Sequence, residues 1–408
     1  GRIHEQIAHN LPSGLPEQLE PTQVRIDHYG YLGAVRDAKE KSRRNIELLR
    51  GQLADGGANP FFHFNLGSEL AAAGDAPGAC DHFEQAWALL AQDPARRDRP
   101  FTPSLAVRSA KGLRFTGRLI EAEARAVEGL AMFPELTDLV FERALVAATE
   151  GDTERAATLL EECLERGDAP SRYSPTVGSG SFLALVRLAE LERARDPERA
   201  EGLLRRCLRE HPSYLGSVLP LAAAMVARGV PADEITAQIE GAVAEPTPSV
   251  RFMLATALYE AGEAAGAEPL YAAVVDAQPG NGGARLALAE TLLSTRRYAE
   301  AAAAAAAVGD DDAFAVAATR SELFARVLAG RANDDSKPTE TAPASGGATA
   351  ASAGVTDDDA NARAAQRGLP AVELDLFAAW AASTSYPALD PAGVDSLATM
   401  LEALLRVE

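Results

Sequence analysis

The sequence predicts an all-α protein in which about seven to eight helix hairpins stack into an α-solenoid. Three observations predict it: a 34-residue period, small side chains at fixed offsets within that period, and proline near the end of many copies. Gly117 and Gly151 are one period apart. Ala122 and Gly129 follow Gly117 after five and twelve residues, and Pro134 follows after seventeen.

The same spacing recurs in seven copies that cover about residues 59–312, with insertions at 94–103 and 168–181. Each copy has an anchor residue, and six of the seven residues that stand seven positions before an anchor are Gly or Ala. Glu234 and Gln238 depart from the pattern, and residues 313–329 fit the first helix of an eighth copy. The anchors are Gly74, Gly117, Gly151, Arg195, Gly229, Gly262 and Arg296.

Close packing explains why these positions recur. Two antiparallel helices whose axes lie about 8–10 Å apart need small side chains where they cross. An anchor glycine in the turn between helix A and helix B can adopt a left-handed backbone, and a proline ends helix B because it cannot continue the hydrogen-bond ladder. A period of this length with these positions resembles the tetratricopeptide repeat, which implies A helices that line a concave surface.

The period defines four regions of the chain. Residues 58–330 form the predicted repeat region. Residues 331–360 contain no aromatic residue and a single Val, so they cannot bury enough apolar surface to order themselves and are predicted to be a disordered linker. Residues 361–408 are predicted to form a helical cap, with amphipathic helices at 369–382 and 390–408. Residues 1–57 lack the period.

The first 57 residues have nearly equal numbers of basic and acidic side chains, so the acidic excess of the chain lies elsewhere. Their pattern predicts a short helix from Ile3, a Pro/Gly loop at 11–22, a strand at 24–29 and a basic helix at 35–53. Three stretches, G-R-I-H-E-Q (1–6), V-R-I-D-H-Y-G-Y (24–31) and K-x-K-x-x-R-N-x-x-L-L (39–49), resemble the C-terminal end of a bacterial family-2 glycosyltransferase domain of GT-A type. In that group, tetratricopeptide repeats often follow the catalytic domain directly.

The resemblance implies an inverting transferase that takes a sugar from a nucleotide-sugar donor, with Mn²⁺ or Mg²⁺ clamping the diphosphate. Glu5 is then the candidate general base, and its neighbour His4 stands where many relatives have a carboxylate. His28 is the candidate metal ligand. The residues implied to lie near the donor are His28, Tyr29, Tyr31, Lys39 and Lys41, with Arg43 and Arg44 adding positive charge.

These residues also have structural interpretations. Glu5 can be a favourable charge at a helix start, and His28 a structural residue beside Tyr29. The basic run 36–50 fits a solvated helix face better than a phosphate site. The donor-binding half of such a domain would precede Gly1, so we expect this chain to be part of a longer enzyme and inactive alone. The alternative is a non-enzymatic scaffold for protein interaction.

Composition restricts the partners. The formal net charge of −20 argues against nucleic acid and against anionic membrane surfaces, and it predicts an acidic concave surface that holds a protein or peptide rich in Lys/Arg or Ser/Thr. The alternative is that the acidity only keeps the array soluble. No cofactor is predicted for the repeat region. The three cysteines form no Cys-x-x-Cys pair, and no apolar run approaches the roughly 20 residues of a membrane helix, so a cytoplasmic protein is predicted.

Several conspicuous side chains are assigned to the core or left without a role. Cys163 and Cys207 occupy the small-residue position twelve residues after an anchor, which favours packing over reactivity. The aromatic residues of the first copy fit the core better than a stacking platform. Three histidines are interpreted as isolated, because no metal-ligand spacing connects them. The aromatic residues are Phe61, Phe62, Phe64 and Trp87, and the histidines are His63, His82 and His211.

Overall fold

The computed structural model describes residues 41–56, 58–310 and 312–335, together with residues 364, 366, 367 and 369. Within this part of the chain it contains sixteen α-helices and no strand, which confirms the all-α prediction for the repeats. The chain divides into two compact units, residues 1–191 and residues 192–408, and each is described by itself.

The first unit contains eight helices. Single 3₁₀ turns lie in its two long connections, at Arg96–Asp98 and Ser171–Tyr173, where the sequence predicted insertions. The helices are α1 (Lys41–Gly56), α2 (Pro60–Ala72), α3 (Ala76–Leu90), α4 (Thr102–Phe115), α5 (Leu119–Met132), α6 (Thr137–Glu150), α7 (Thr153–Arg166) and α8 (Phe182–Glu192), with whose last turn the unit ends.

The second unit contains the other eight helices. A 3₁₀ turn at Leu215–Ser217 directly precedes one of them, α10. Its last helix runs past residue 330, where the linker was predicted to begin, as far as Asp335. The helices are α9 (Pro197–Glu210), α10 (Val218–Ala227), α11 (Ala232–Glu240), α12 (Pro248–Glu260), α13 (Ala264–Ala277), α14 (Gly282–Ser294), α15 (Tyr298–Ala306) and α16 (Ala315–Asp335).

The anchors lie in the turns between helices A and B, as predicted. All five anchor glycines have a left-handed backbone, with φ between 75° and 86°. Arg296 occupies the same position with φ 61°. This backbone conformation is strained for a residue that has a Cβ. Among the described residues other than glycine only Ser174 and Arg296 have positive φ, so the anchor Arg195 does not.

An aspartate follows three of the anchors and caps helix B, a feature that the repeat pattern alone did not predict. The side chains of Asp75, Asp152 and Asp196 accept hydrogen bonds from backbone N–H groups in the first turns of α3, α7 and α9. Such a cap satisfies a donor that the helix leaves without a partner. The anchor and its aspartate therefore form one turn-and-cap unit.

The small-residue positions are buried at helix crossings, as predicted. Ala122, Ala156 and Ala267 are fully buried. A Cβ added to Gly129 in α5 would lie 2.6 Å from Cδ1 of Leu139 in α6, and one added to Gly67 in α2 would lie 2.7 Å from the ring of Phe83 in α3. Only small residues fit at these crossings.

The copy at Gly229 departs from the prediction. Gly241, twelve residues after the anchor, is exposed, whereas its counterparts are buried. Ile235 and Ile239 are buried instead, at 0% and 1% exposure. These two lie one residue later than the usual core positions, since Glu234 and Gln238 fill those, and α11 is only nine residues long.

Two core clusters, one in each unit, differ in their largest side chains. One cluster of the first unit contains Phe83, Trp87, Leu105, Phe133 and Leu139. A cluster formed by α14, α15 and α16 in the second unit contains Leu292 and Leu293 with Ala301, Ala302 and Ala325.

All three cysteines are buried and none forms a disulfide. Burial raises the pKa of each thiol, that of Cys163 to about 12. This agrees with the packing role predicted for Cys163 and Cys207. No helix in the described ranges is long and apolar enough to cross a membrane.

Some predictions fall outside the described residues. These are the helix start at Ile3, the strand at 24–29, most of the 331–360 segment and nearly all of the cap at 361–408. Within the cap, the Arg367 guanidinium donates to Asp310, to the Thr319 hydroxyl and to the Val308 carbonyl, at 2.7, 3.0 and 2.7 Å.

Candidate functional site

The predicted transferase residues cannot be placed. Glu5, His4, His28, Tyr29, Tyr31 and Lys39 lie outside the described residues, and Lys41 is described only as the first residue of α1. Their assigned roles, including the metal site on His28, stay predictions. Within the described ranges no group of three or more His, Cys, Asp or Glu side chains is arranged to hold a metal ion.

Two cavities in the first unit lie against the A helices α4 and α6. The first, of about 520 Å³, is bounded by α4, by the start of α6 and by residues 173–176 of the second insertion. The second, of about 530 Å³, continues along α4 and α6 to Leu183 and Arg187 of α8. They form one continuous groove, since the two cavities share Val107, Lys111, Phe115, Asp138 and Thr176.

One face of α4 supplies three of the exposed side chains of this groove. Arg108, Lys111 and Phe115 are exposed and follow one another at helical spacing. Phe115 is 64% exposed, and its ring lies 5.9 Å from Lys111 Nζ and 4.6 Å from Cζ of Arg114. An exposed aromatic ring between cations offers contact to both an apolar and a negatively charged group.

Asp138 lies in the wall shared by the two cavities and is 2% exposed. Its Oδ1 accepts the backbone N–H of Thr176 at 2.6 Å. Its Oδ2 is buried and has no hydrogen-bond partner among the described residues. Burial raises the pKa of this carboxyl, and the Thr176 hydrogen bond opposes the shift. A buried carboxyl oxygen without a partner is costly to the fold unless a ligand uses it.

Glu142, one turn after Asp138 on α6, is in a different situation. It is 5% exposed, and its carboxylate accepts a hydrogen bond from Arg114 Nε at 3.0 Å. Burial raises the pKa of Glu142, while the charge of Arg114 lowers it. The pair joins α4 to α6 beneath the groove and leaves little negative charge facing solvent.

The second insertion forms a wall of the groove. Asp168 accepts the backbone N–H groups of Gly178 and Gly180, at 3.1 and 2.7 Å, and the Ser181 hydroxyl at 3.1 Å. Gly180 packs so closely on the backbone of Gly167 that no Cβ would fit. These contacts fix a segment that departs from the 34-residue period.

The groove differs from the surface that the sequence predicted. The acidic lining expected from the net charge is wrong here, because the exposed charged side chains of the groove are Arg108, Lys111 and Arg187 and its two carboxyl groups are buried. Sequence reasoning missed these residues, although the spacing of Arg108, Lys111 and Phe115 could have marked an exposed face of helix A.

The prediction that His63 and His82 are isolated is also wrong. Nδ1 of His63 in α2 lies 2.9 Å from Nδ1 of His82 in α3. Burial lowers the pKa of both imidazoles, with a further contribution from His82 to His63 and from Arg50 to His82. The antiparallel hairpin brings together two residues that are 19 positions apart.

Comparison with known proteins identifies the repeat. Residues 258–323 match the family model of the tetratricopeptide repeat, so this part of the second unit consists of tetratricopeptide repeats. No curated protein matches the sequence.

Three solved structures are similar to this chain. Yeast Tom70 has 14% identity and a TM-score of 0.48, with 75% of this chain and 62% of that one covered. A tetratricopeptide repeat protein of Parabacteroides merdae has 16% identity and a TM-score of 0.38, with 64% and 91% covered. The C-terminal part of a repeat protein of Cytophaga hutchinsonii has 14% identity and a TM-score of 0.40, with 62% and 98% covered. The chain thus spans 62% of the length of Tom70.

Proposed function

We propose that this tetratricopeptide repeat protein is an interaction scaffold, and that its groove along α4, α6 and α8 holds an extended segment of a partner protein. The observation that carries the proposal is the exposed Phe115 ring, which lines both cavities of the groove. A large aromatic ring left in water gains about 1.5–3 kcal/mol when a ligand buries it. A partner that covers the ring would use that free energy.

Asp138 supports the same function by a second route. An extended peptide carries both N–H donors and C=O acceptors along its main chain. The Oδ2 atom of Asp138 is closed to water, so it can accept such an N–H or, once protonated, donate to such a C=O only where binding opens the wall around it. The second insertion supports the proposal as well, because Thr176 positions the Asp138 carboxyl and belongs to that wall.

The test is selection of peptides from a random library displayed on phage, with the purified chain as target. Phe115→Ala should lower the affinity for the selected peptides about tenfold or more, since the ring that the peptide would bury is lost. Ile120→Ala is the matched control, because Ile120 is 83% exposed and does not line the groove. If no peptide is selected, or if both variants bind as the wild type does, the groove is not the binding site.

We also propose a sugar-transfer function for the longer enzyme implied by the resemblance of residues 1–57, with Glu5 as general base and His28 as metal ligand. The three matching stretches and the domain order support it. The groove would then hold a protein acceptor or a recruited partner, and the protein would act in the cytoplasm.

This second proposal is tested on the longer enzyme that the resemblance implies, with a complete donor-binding half joined to residues 1–408. Sugar transfer from a nucleotide sugar is measured with Mn²⁺ present. His28→Ala and Glu5→Gln should each lower turnover with little loss of fold, whereas residues 1–408 alone should transfer no sugar. If both variants turn over at the wild-type rate, Glu5 is not the general base and His28 is not a metal ligand.

A further inference from the structure

We infer that the groove of the first unit selects an acidic segment, an extended stretch in which two Asp or Glu residues lie within about three residues of an aromatic or aliphatic one. This inference rests on the proposed interaction function and adds the chemistry of the partner. It is the opposite of what the net charge of −20 suggests.

Four basic side chains line the groove, and two of them are already paired. Arg114 is paired with Glu142, and Arg187 with Glu190 on its own helix. Arg108 and Lys111 are exposed as residues, and neither forms an ion pair with another described residue. Part of Arg108 is covered, because its Cζ lies 5.6 Å from the centre of the Phe64 ring and burial lowers the pKa of its guanidinium. Two exposed cations are therefore available to a ligand on the same face of α4.

The anions of the groove cancel these charges only in part, since the charge of Lys111 acts on the buried Glu142. Asp138 and Glu142 are 2% and 5% exposed, and burial raises the pKa of both carboxyl groups. Glu142 is already neutralised by Arg114. Since charges act mainly within a Debye length of about 8 Å at physiological salt, these local cations outweigh the distant acidic residues that set the net charge.

The spacing of the side chains on α4 gives the ligand pattern. Arg108 and Phe115 are seven residues apart, which is about 10 Å along a helix. An extended peptide covers the same distance in about three residues. Lys111 lies between them, so a segment that runs along α4 can pair two carboxylates with the cations and place an apolar side chain on Phe115. Nucleic acid is disfavoured because its continuous phosphates would meet the acidic remainder of the chain.

The probe is a fluorescein-labelled peptide of about twelve residues, blocked at both ends so that no terminal carboxylate contributes. It carries two glutamates and a phenylalanine three residues after the first of them. Two further probes replace the glutamates with glutamine or with lysine. Affinities are measured by fluorescence anisotropy with the whole chain, at ionic strengths for which the Debye length falls from about 30 to about 8 Å.

The glutamate peptide should bind most tightly, and its affinity should fall with salt. The double variant Arg108→Gln/Lys111→Gln should lower the affinity for the glutamate peptide about tenfold and leave the affinity for the glutamine peptide unchanged. Arg97→Gln is the matched control, because Arg97 is exposed and does not line the groove.

The outcomes separate the two proposals. Equal affinity for the glutamate and glutamine peptides, or preference for the lysine peptide, would overturn the acidic assignment. If those same peptides still lose affinity on Phe115→Ala, the groove function stands and only the partner class is wrong. If no peptide of any charge binds, the interaction function of this groove fails with it.

Discussion

The two units build similar hairpins from side chains of different size. In the first unit the core between α2 and α6 contains Leu105, Leu139 and the rings of Phe83 and Trp87. Between α14 and α16 in the second unit, Ala301, Ala302 and Ala325 take comparable interior positions. The separation of packed helices depends on the side chains at the contact. These large side chains must therefore be retained between α2 and α6, and these three alanines between α14 and α16.

The largest effect is expected where a large core side chain is removed. Leu105→Ala should lower the free energy of unfolding by about 2–5 kcal/mol, because Leu105 is fully buried and its removal leaves a cavity. Urea denaturation followed by circular dichroism measures the loss. Leu48→Ala, at a position 37% exposed in α1, should cost much less. Similar losses in both variants would show that the first region is not tightly packed.

The converse change is expected to cost less in the alanine-rich region. Ala305→Leu in α15 and Ala267→Leu in α13 add atoms at fully buried positions, and each should lower the free energy of unfolding by about 1–3 kcal/mol. Ala131→Leu at an exposed position of α5 is the control and should be nearly neutral. A gain in stability from Ala305→Leu would mean that this region has space to fill. The alanines between α14 and α16 would then not be required by close packing.

A smaller effect of opposite sign is expected in the groove. Asp138→Asn can keep the bond from Thr176 and removes a buried charge, so it should raise the free energy of unfolding at neutral pH by about 1 kcal/mol. The folded pKa of Asp138 lies above the ordinary 3.8, so its contribution to stability falls as pH rises through that window. In the Asp138→Asn variant, this decrease of stability with rising pH should be absent.

Stability curves between acid and neutral pH measure this difference. Asp233→Asn, at an exposed position in the first turn of α11, is the control and should lower the stability at neutral pH by no more than about 1 kcal/mol, because it removes a charge that is favourable at a helix start. If Asp138→Asn destabilises the protein at neutral pH, the carboxylate contributes to the fold and the buried oxygen has a structural partner.

The smallest effects are expected at the turns. Gly151→Ala places a Cβ at φ 81° with no neighbouring atom to clash, so backbone strain alone should cost about 1 kcal/mol. Arg296→Gly relieves a residue at φ 61° and should stabilise the second unit by a similar or smaller amount. Thermal unfolding of the two variants checks the opposite signs. Shifts in the same direction would show that the anchors differ in more than backbone conformation.

The sequence predicted the positions that face inward, because the period records them directly. Ala122, Gly129 and Ala156 are buried where the 34-residue pattern placed them. One copy escaped it, since the core positions Ile235 and Ile239 are shifted by one residue. No local pattern signals such a shift in a short helix.

The groove could not be predicted in the same way. Its lining depends on outward-facing residues, which the period leaves unconstrained, and on the path of the second insertion, which Asp168 fixes through backbone N–H groups. The net charge gave the wrong sign, because a sum over the chain hides the cluster of Arg108 and Lys111 on α4. His63 and His82 meet only through the pairing of α2 with α3.

The buried thiols have a practical consequence for spectroscopy. Cys80, Cys163 and Cys207 are all the cysteines of the chain, and none is accessible to a bulky maleimide in the folded protein. A single cysteine introduced at Ser174, on the rim of the groove, would therefore accept one dye at a known place without removal of any native residue. The emission of that dye would report directly on whether the groove is occupied.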